Sequence, residues 1–174
     1  MKSKFILSGL SYFLLFSVAL AAPSKKVNIK SKEFGIGAGV GYGFLDGGIG
    51  FAELLGDYRI KDEPYSLRAS LYYNFNGKLG ISGEGHYNTL LTEANVFAPG
   101  NLYGYGGVGL TLHQFPPYLL IPLGVDLLYH HSPLGLGFQL LPQVKLDSGF
   151  RTQISALING TYYFQVQKLH IDNS

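Results

Sequence analysis

The chain has no cysteine, no tryptophan and little charge, with 13 basic and 11 acidic residues among 174. The missing cysteine excludes a disulfide framework, a thiolate metal site, a cysteine nucleophile and a lipid-modified N-terminal cysteine. Sparse and balanced charge argues against a disordered tail, a coiled coil and a nucleic-acid-binding protein. The chain is instead rich in glycine (24), tyrosine (13) and phenylalanine (12). Its length predicts one folded domain.

The N-terminus has the layout of a secretory signal peptide. Lys2 and Lys4 precede an uncharged run that ends in small residues just before Pro23. We therefore predict a signal peptide over residues 1–22 that is removed, and the alternative is a retained membrane anchor. Residues 23–32 are polar and are predicted to be a flexible lead-in. An exported chain without cysteine is expected in the periplasm, the outer membrane or the medium.

After Glu33 the apolar residues recur with a period of two, the pattern of β-strands. No segment of the mature chain has a helical period. The predicted strands cover residues 34–44, 52–60, 65–75, 79–88, 102–112, 119–130, 136–146 and 154–166. Turn-forming residues separate them at 46–48, 62–64, 76–77, 99–101, 115–117, 132–133 and 147–149.

One face of the predicted strands is apolar and carries no Asp, Glu, Lys or Arg. A soluble barrel would turn this face inward, whereas a membrane barrel would turn it toward lipid. The first strand favours the membrane barrel, because its five alternate glycines would otherwise leave a solvated face without side chains. Aromatic residues near strand ends are predicted to form interfacial girdles. These residues are Phe34, Phe44, Tyr58, Tyr65, Phe75, Tyr87, Tyr129 and Phe164.

Over residues 33–167 this pattern resembles the small eight-stranded outer-membrane barrels of Gram-negative-type bacteria, the OmpA-barrel and OmpX kind. The resemblance implies an all-β, eight-stranded antiparallel up-and-down transmembrane barrel in the bacterial outer membrane, followed by a tail over residues 168–174. It implies a monomer whose partners are the lipid bilayer and the barrel-assembly machinery, with no nucleic acid and no cofactor. The expected role is structural or envelope-related, without enzymatic activity.

The polar face of the strands is expected to fill the lumen. Opposite charges would pair there in a polar plug, because buried charges persist only when they are partnered. A barrel of this size is just wide enough for its own side chains, so a general diffusion pore is not expected, whereas a gated or very small conductance stays open. The predicted network comprises Glu53, Asp57, Arg59, Arg68, Glu84, His86, Asp126, His130 and Lys145.

Part of that network could also be drawn as a metal or acid–base site, with Glu84, His86, Asp126 and His130 as its members. Their spacing matches no strong metal-binding motif, so we predict no metal. The segment Gly104–Gly109 matches the dinucleotide-binding fingerprint by letters. It lies inside a predicted strand with no helix after it, which argues against that function.

Two alternative functions stay open. His130 and Ser132 form a His-x-Ser pair that resembles the base and nucleophile of membrane-embedded lipid A deacylases, which implies acyl hydrolysis. Pro133 stands where those enzymes have Asn, and a strand-end role for this pair is therefore preferred. The second alternative is a secreted lipocalin-like barrel that holds an apolar ligand in its interior.

Overall fold

We describe the fold from a computed structural model, in which residues 34–44, 48–60, 63–96, 98–112, 117–146 and 151–164 are described. The predicted signal peptide, the lead-in and the C-terminal tail lie outside these residues. The strands are β1 (Phe34–Gly43), β2 (Ile49–Arg59), β3 (Tyr65–Asn74), β4 (Lys78–Val96), β5 (Ala98–Leu112), β6 (Tyr118–Leu120), β7 (Leu123–Tyr129), β8 (Leu134–Lys145) and β9 (Thr152–Phe164). Among the described residues, no helix is long and apolar enough to cross a bilayer.

The strands form a closed antiparallel barrel. Except for β6 and β7, consecutive strands pair with each other, and β1 pairs with β9 from Phe34 opposite Phe164 to Gly43 opposite Ser155. The short strands β6 and β7 share one position between β5 and β8, so the nine strands occupy eight positions. The prediction of an all-β, eight-stranded antiparallel barrel is thereby confirmed.

The glycines of β1 face the interior at places where other strands approach closely. A Cβ atom built on Gly35 would lie 2.7 Å from the Thr161 Cγ2 atom and 2.9 Å from the Tyr163 ring. A larger residue at this position would therefore collide with β9. At Gly35 it is the Tyr163 ring, together with Thr161, that occupies the space a side chain would need.

The predicted turn at residues 99–101 is wrong. β4 runs on to Val96, and β5 begins at Ala98, so these residues lie within a long hairpin. Pro99 has no N–H to donate, but its carbonyl accepts a hydrogen bond from the His130 N–H at 2.9 Å. A proline next to the start of a strand is compatible with this pairing.

The predicted sixth strand is interrupted rather than continuous. The break falls at Ile121 and Pro122, between β6 and β7. Proline cannot donate to the ladder, which explains the loss of regular pairing at this point. The neighbouring strands stay attached, because the Pro122 carbonyl accepts from the Gly107 N–H at 2.9 Å and the Ile121 N–H donates to the Pro142 carbonyl at 2.9 Å.

Candidate functional site: a charged barrel interior

The barrel buries its charges and exposes its apolar side chains. Asp57 is 0% exposed and Arg68 is 3% exposed, whereas Val108 is 66% and Leu54 is 61% exposed. Both sets come from the same strands, because successive side chains of a strand point to opposite faces. The interior is thus the place where the polar chemistry of this chain is concentrated.

Two arginines and two aspartates form a compact four-charge cluster inside the barrel. Arg59 Nη2 lies 2.7 Å from Asp126 Oδ2, and Arg59 Nε lies 3.3 Å from Asp57 Oδ2. Arg68 lies between the same two acids, with Nε 3.5 Å from Asp57 Oδ1 and Nη2 3.5 Å from Asp126 Oδ2. Each guanidinium therefore faces both carboxylates. Buried charges are retained in this way when they are mutually compensated.

Tyrosine side chains complete the surroundings of the four-charge cluster. The Tyr163 hydroxyl donates to Asp57 Oδ2 at 2.9 Å, and the Arg59 guanidinium lies 5.6 Å from the Tyr163 ring centre. Arg68 Nη1 donates to the Tyr105 hydroxyl at 3.3 Å, and its guanidinium lies 5.4 Å from that ring. These aromatic faces favour the cationic groups electrostatically.

A third acid, Glu84, is connected to the four-charge cluster through Gln139. Arg68 Nη1 donates to Gln139 Oε1 at 3.2 Å, and Gln139 Nε2 donates to Glu84 Oε2 at 2.9 Å. His86 Nε2 lies 2.8 Å from the same oxygen, and its ring stacks on Tyr105 with centroids 4.7 Å apart. Glu84 is therefore held by two neighbouring side chains.

The two ends of the barrel differ. The terminal rim carries the start of β1 and the end of β9, and the turn rim carries the connections after β1, β3, β5 and β8.

Between the cluster and the turn rim lies a cavity of about 180 Å³. Its walls include Asn74, Asn76 and Lys78, which stand at the turn rim, so the cavity opens there. The remaining lining residues are Gly43, Ile49, Phe51, Glu53, Tyr72, Ser82, Glu84, Thr111, Tyr118, Leu120, Leu141, Gln143, Gln153, Ser155 and Leu157.

Glu53 lines this cavity and differs from the other buried acids. Its side chain is 9% exposed, and its Oε1 atom has no hydrogen-bond partner among the described residues. Asp57, Asp126 and Glu84 each lie within ion-pairing distance of a basic side chain, whereas no such pair involves Glu53 in the described part of the barrel. The cavity is therefore lined by an acid that has no ion pair of its own in the described barrel and on which only the Ser70 hydroxyl and the charge of Arg68 act favourably.

One residue of the predicted network, His130, lies elsewhere than expected, whereas Lys145 has the inward parity of Gln139 in β8. His130 is exposed, and its Nε2 atom lies 2.9 Å from Asn101 Oδ1. The inward orientation predicted for His130 is wrong because β7 ends at Tyr129, and the alternation of a strand does not continue into the bend that follows. Lys145 is half-buried at the last position of β8, toward the turn rim.

The side chains proposed for the alternative sites are dispersed. Glu84 and His86 lie together, but Asp126 is occupied by the two arginines, and the described residues include no group of three or more His, Asp or Glu able to hold a metal. Ser132 Oγ accepts a hydrogen bond from the Leu134 N–H at 3.2 Å. No hydrogen bond joins Ser132 to His130 in the described bend, so this geometry does not form a base–nucleophile pair.

Sequence reasoning missed three members of the interior network, Tyr105, Gln139 and Tyr163. Gln139 alternates with the exposed Phe138 and Leu140, so the parity of its strand already indicates an inward side chain. Tyr163 shares the parity of Asn159 and Thr161 in β9, and both of those residues are buried. The alternation of β9 is therefore enough to predict that Tyr163 faces the interior, although its aromatic character suggests the apolar face.

Comparisons with known proteins add no functional information. No protein-family model matches the chain, and a search of curated proteins finds no match. The function must therefore be argued from the geometry of the barrel.

Proposed function

We propose that this chain is an integral β-barrel protein of a bacterial outer membrane, with a structural or envelope role and no enzymatic activity. The observation that carries the proposal is the reversed polarity of the barrel, with ion pairs inside and large aliphatic side chains outside. In water, this outer face would be an apolar patch far larger than soluble monomers expose. In hydrocarbon, the same face meets a medium of its own polarity.

The outer face is banded, which also supports a membrane location. Exposed aromatic side chains stand at both ends of the strands, with the Phe34 and Phe164 rings 5.9 Å apart at the terminal rim and the Tyr42 and Phe44 rings 5.6 Å apart at the turn rim. Between Phe34 and Tyr42 the strand rises roughly 26 Å, or about 20 Å along the barrel axis after tilting. This height is close to the apolar band of membrane barrels, although Tyr129, predicted for the girdle, is buried.

Closure of the sheet is the second requirement for a strand protein in lipid. Unpaired backbone groups are too costly in hydrocarbon, so only closed barrels cross with strands. The pairing of β1 with β9 removes the edge that an open sheet would leave. The backbone of the barrel is thus compatible with a bilayer.

The packed interior supports a structural role rather than transport. The four-charge cluster and its tyrosines are nearly inaccessible to solvent, so the interior does not form a wide channel. A lipocalin-like function would require an apolar interior, which is the reverse of the arrangement found here. The barrel-assembly machinery and the lipid bilayer are the partners that the proposal requires.

Fractionation and gel mobility test the proposal. The full chain is expressed in a bacterial host, the envelope is separated, and the protein is extracted with and without detergent. We expect a β-rich species in the outer-membrane fraction that needs detergent and migrates differently on SDS gels before and after boiling. A folded monomer that stays in plain buffer would overturn the proposal.

A charged substitution on the outer face gives a sharper test. Val108→Arg places a guanidinium at an exposed position of β5, and we expect it to lower the free energy of unfolding in bilayers by about 2–4 kcal/mol. Asn76→Arg, in an exposed turn at the rim, is the matched control and should have little effect. Equal stabilities of the two variants would indicate that Val108 faces water.

A further inference from the structure

The buried charges of the interior do not balance around Glu53. Asp57 and Asp126 are compensated by Arg59 and Arg68, and Glu84 is hydrogen-bonded to His86 and Gln139. Glu53 forms no ion pair with a described residue, although it is almost fully buried. The Ser70 hydroxyl and the charge of Arg68 act on its carboxylate, but Arg68 is shared with Asp57 and Asp126. A buried carboxylate without an ion pair of its own is costly, so this position favours the arrival of a positive charge.

The space beside Glu53 can hold a small molecule. The cavity measures about 180 Å³ and reaches the turn rim. For comparison, an engineered protein cavity of about 150 Å³ binds benzene. The Glu53 side chain lines this space, so a bound molecule with an N–H donor would lie beside its carboxylate.

The cavity walls combine aromatic, aliphatic and hydroxyl groups. The Phe51 and Tyr72 rings meet edge to face with centroids 6.4 Å apart, and both line the cavity. Aromatic faces attract organic cations. Leu120 and Leu157 add apolar surface that can contact an alkyl group, and the Thr111 side chain already hydrogen bonds with Tyr72.

We propose that this cavity is a binding site for a small primary ammonium compound. Its ammonium group donates a hydrogen bond to the Glu53 carboxylate, and its short alkyl part lies against Phe51, Tyr72 and the neighbouring leucines. The site depends on the barrel interior alone, and it goes beyond the structural role proposed above. Lys78 is exposed at the mouth of the cavity and carries a positive charge, as the ligand does. Water and salt screen that charge at an exposed position.

The test is calorimetric titration of the folded, detergent-solubilised protein with n-butylammonium, in an amine-free buffer of constant sodium concentration. n-Butanol and butyrate serve as neutral and anionic probes of similar size. We expect saturable binding of butylammonium with a Kd below about 10 mM, and no saturable binding of the other two. Lys78→Gln should tighten binding by about twofold at most.

Glu53→Gln keeps the shape of the side chain and removes its charge. It should weaken butylammonium binding by about tenfold or more, because the charge-assisted hydrogen bond is lost. Glu93→Gln, an exposed acid on the extended hairpin, is the matched control and should bind as the unmodified protein does. The mobility shift on boiling verifies that each variant is folded.

Three results would overturn the proposal. They are no binding of butylammonium to the folded protein, equal binding of n-butanol, which would show an apolar site, and unchanged binding in the Glu53→Gln variant. Because all three are measured on folded protein, they are separate from the fractionation result. A barrel located in the membrane that binds no amine would refute this site and leave the proposed function intact.

Discussion

The two halves of the barrel interior treat buried charge in opposite ways. Toward the terminal rim, Arg59 and Arg68 each lie between the same two aspartates, and tyrosine rings fill the remaining space. Toward the turn rim, Glu53 lines a cavity of about 180 Å³ and forms no ion pair with a described residue. The terminal half is therefore packed and ion-paired. The turn half contains the cavity and the acid at which we propose that a ligand binds.

The largest expected effect comes from breaking the four-charge cluster. Arg59→Met leaves Asp57 and Asp126 with Arg68 alone, and we expect the free energy of unfolding to fall by about 3–5 kcal/mol. Urea titration monitored by tyrosine fluorescence measures it. Arg151→Met, at an exposed arginine, is the control and should change little. A loss as small as the control's would show that the cluster does not stabilise the packed half.

A pair of glycine substitutions compares the packing of the two halves. A Cβ atom on Gly124 would lie 2.5 Å from both the Phe138 carbonyl oxygen and the Tyr105 ring, whereas on Gly43 the nearest atom, Ser155 Oγ, is 3.4 Å away. We therefore expect Gly124→Ala to destabilise the barrel by about 1–3 kcal/mol and Gly43→Ala to be tolerated. The same urea titration applies. Equal effects would mean that the halves are packed alike.

Substitutions in the two halves are also expected to change the free energy of unfolding in opposite directions. Glu53→Gln removes a buried charge that has no ion pair of its own, so we expect the free energy of unfolding to rise by about 1 kcal/mol, opposite in sign to the effect of Arg59→Met. Added butylammonium should stabilise the unmodified protein and not the variant, because a ligand stabilises only the state that it binds. If Glu53→Gln is as destabilising as Arg59→Met, Glu53 has a structural partner.

Much of this architecture is predictable from alternation alone. The alternate glycines of β1, and the equal parity of Asp57 and Arg59 in β2, predict which face of each strand is polar without knowledge of the fold. Alternation fails where a strand breaks or ends, as it does at Pro122 and His130. Alternation also does not predict which charged side chains pair with each other. Arg59 and Asp126 are 67 residues apart and meet only through the register of the closed sheet.

The central claim is that the apolar outer face meets lipid, and spin labelling tests it most directly. The chain has no cysteine, so each introduced cysteine gives one labelled site. We would compare Val40→Cys, on the outer face of β1, with Asn76→Cys in the rim turn, both in proteoliposomes. If the outer face contacts lipid, oxygen relaxes the label at residue 40 and a water-soluble nickel complex does not. At residue 76 the nickel complex relaxes the label more than oxygen does. Equal access of the nickel complex to both labels would contradict the claim.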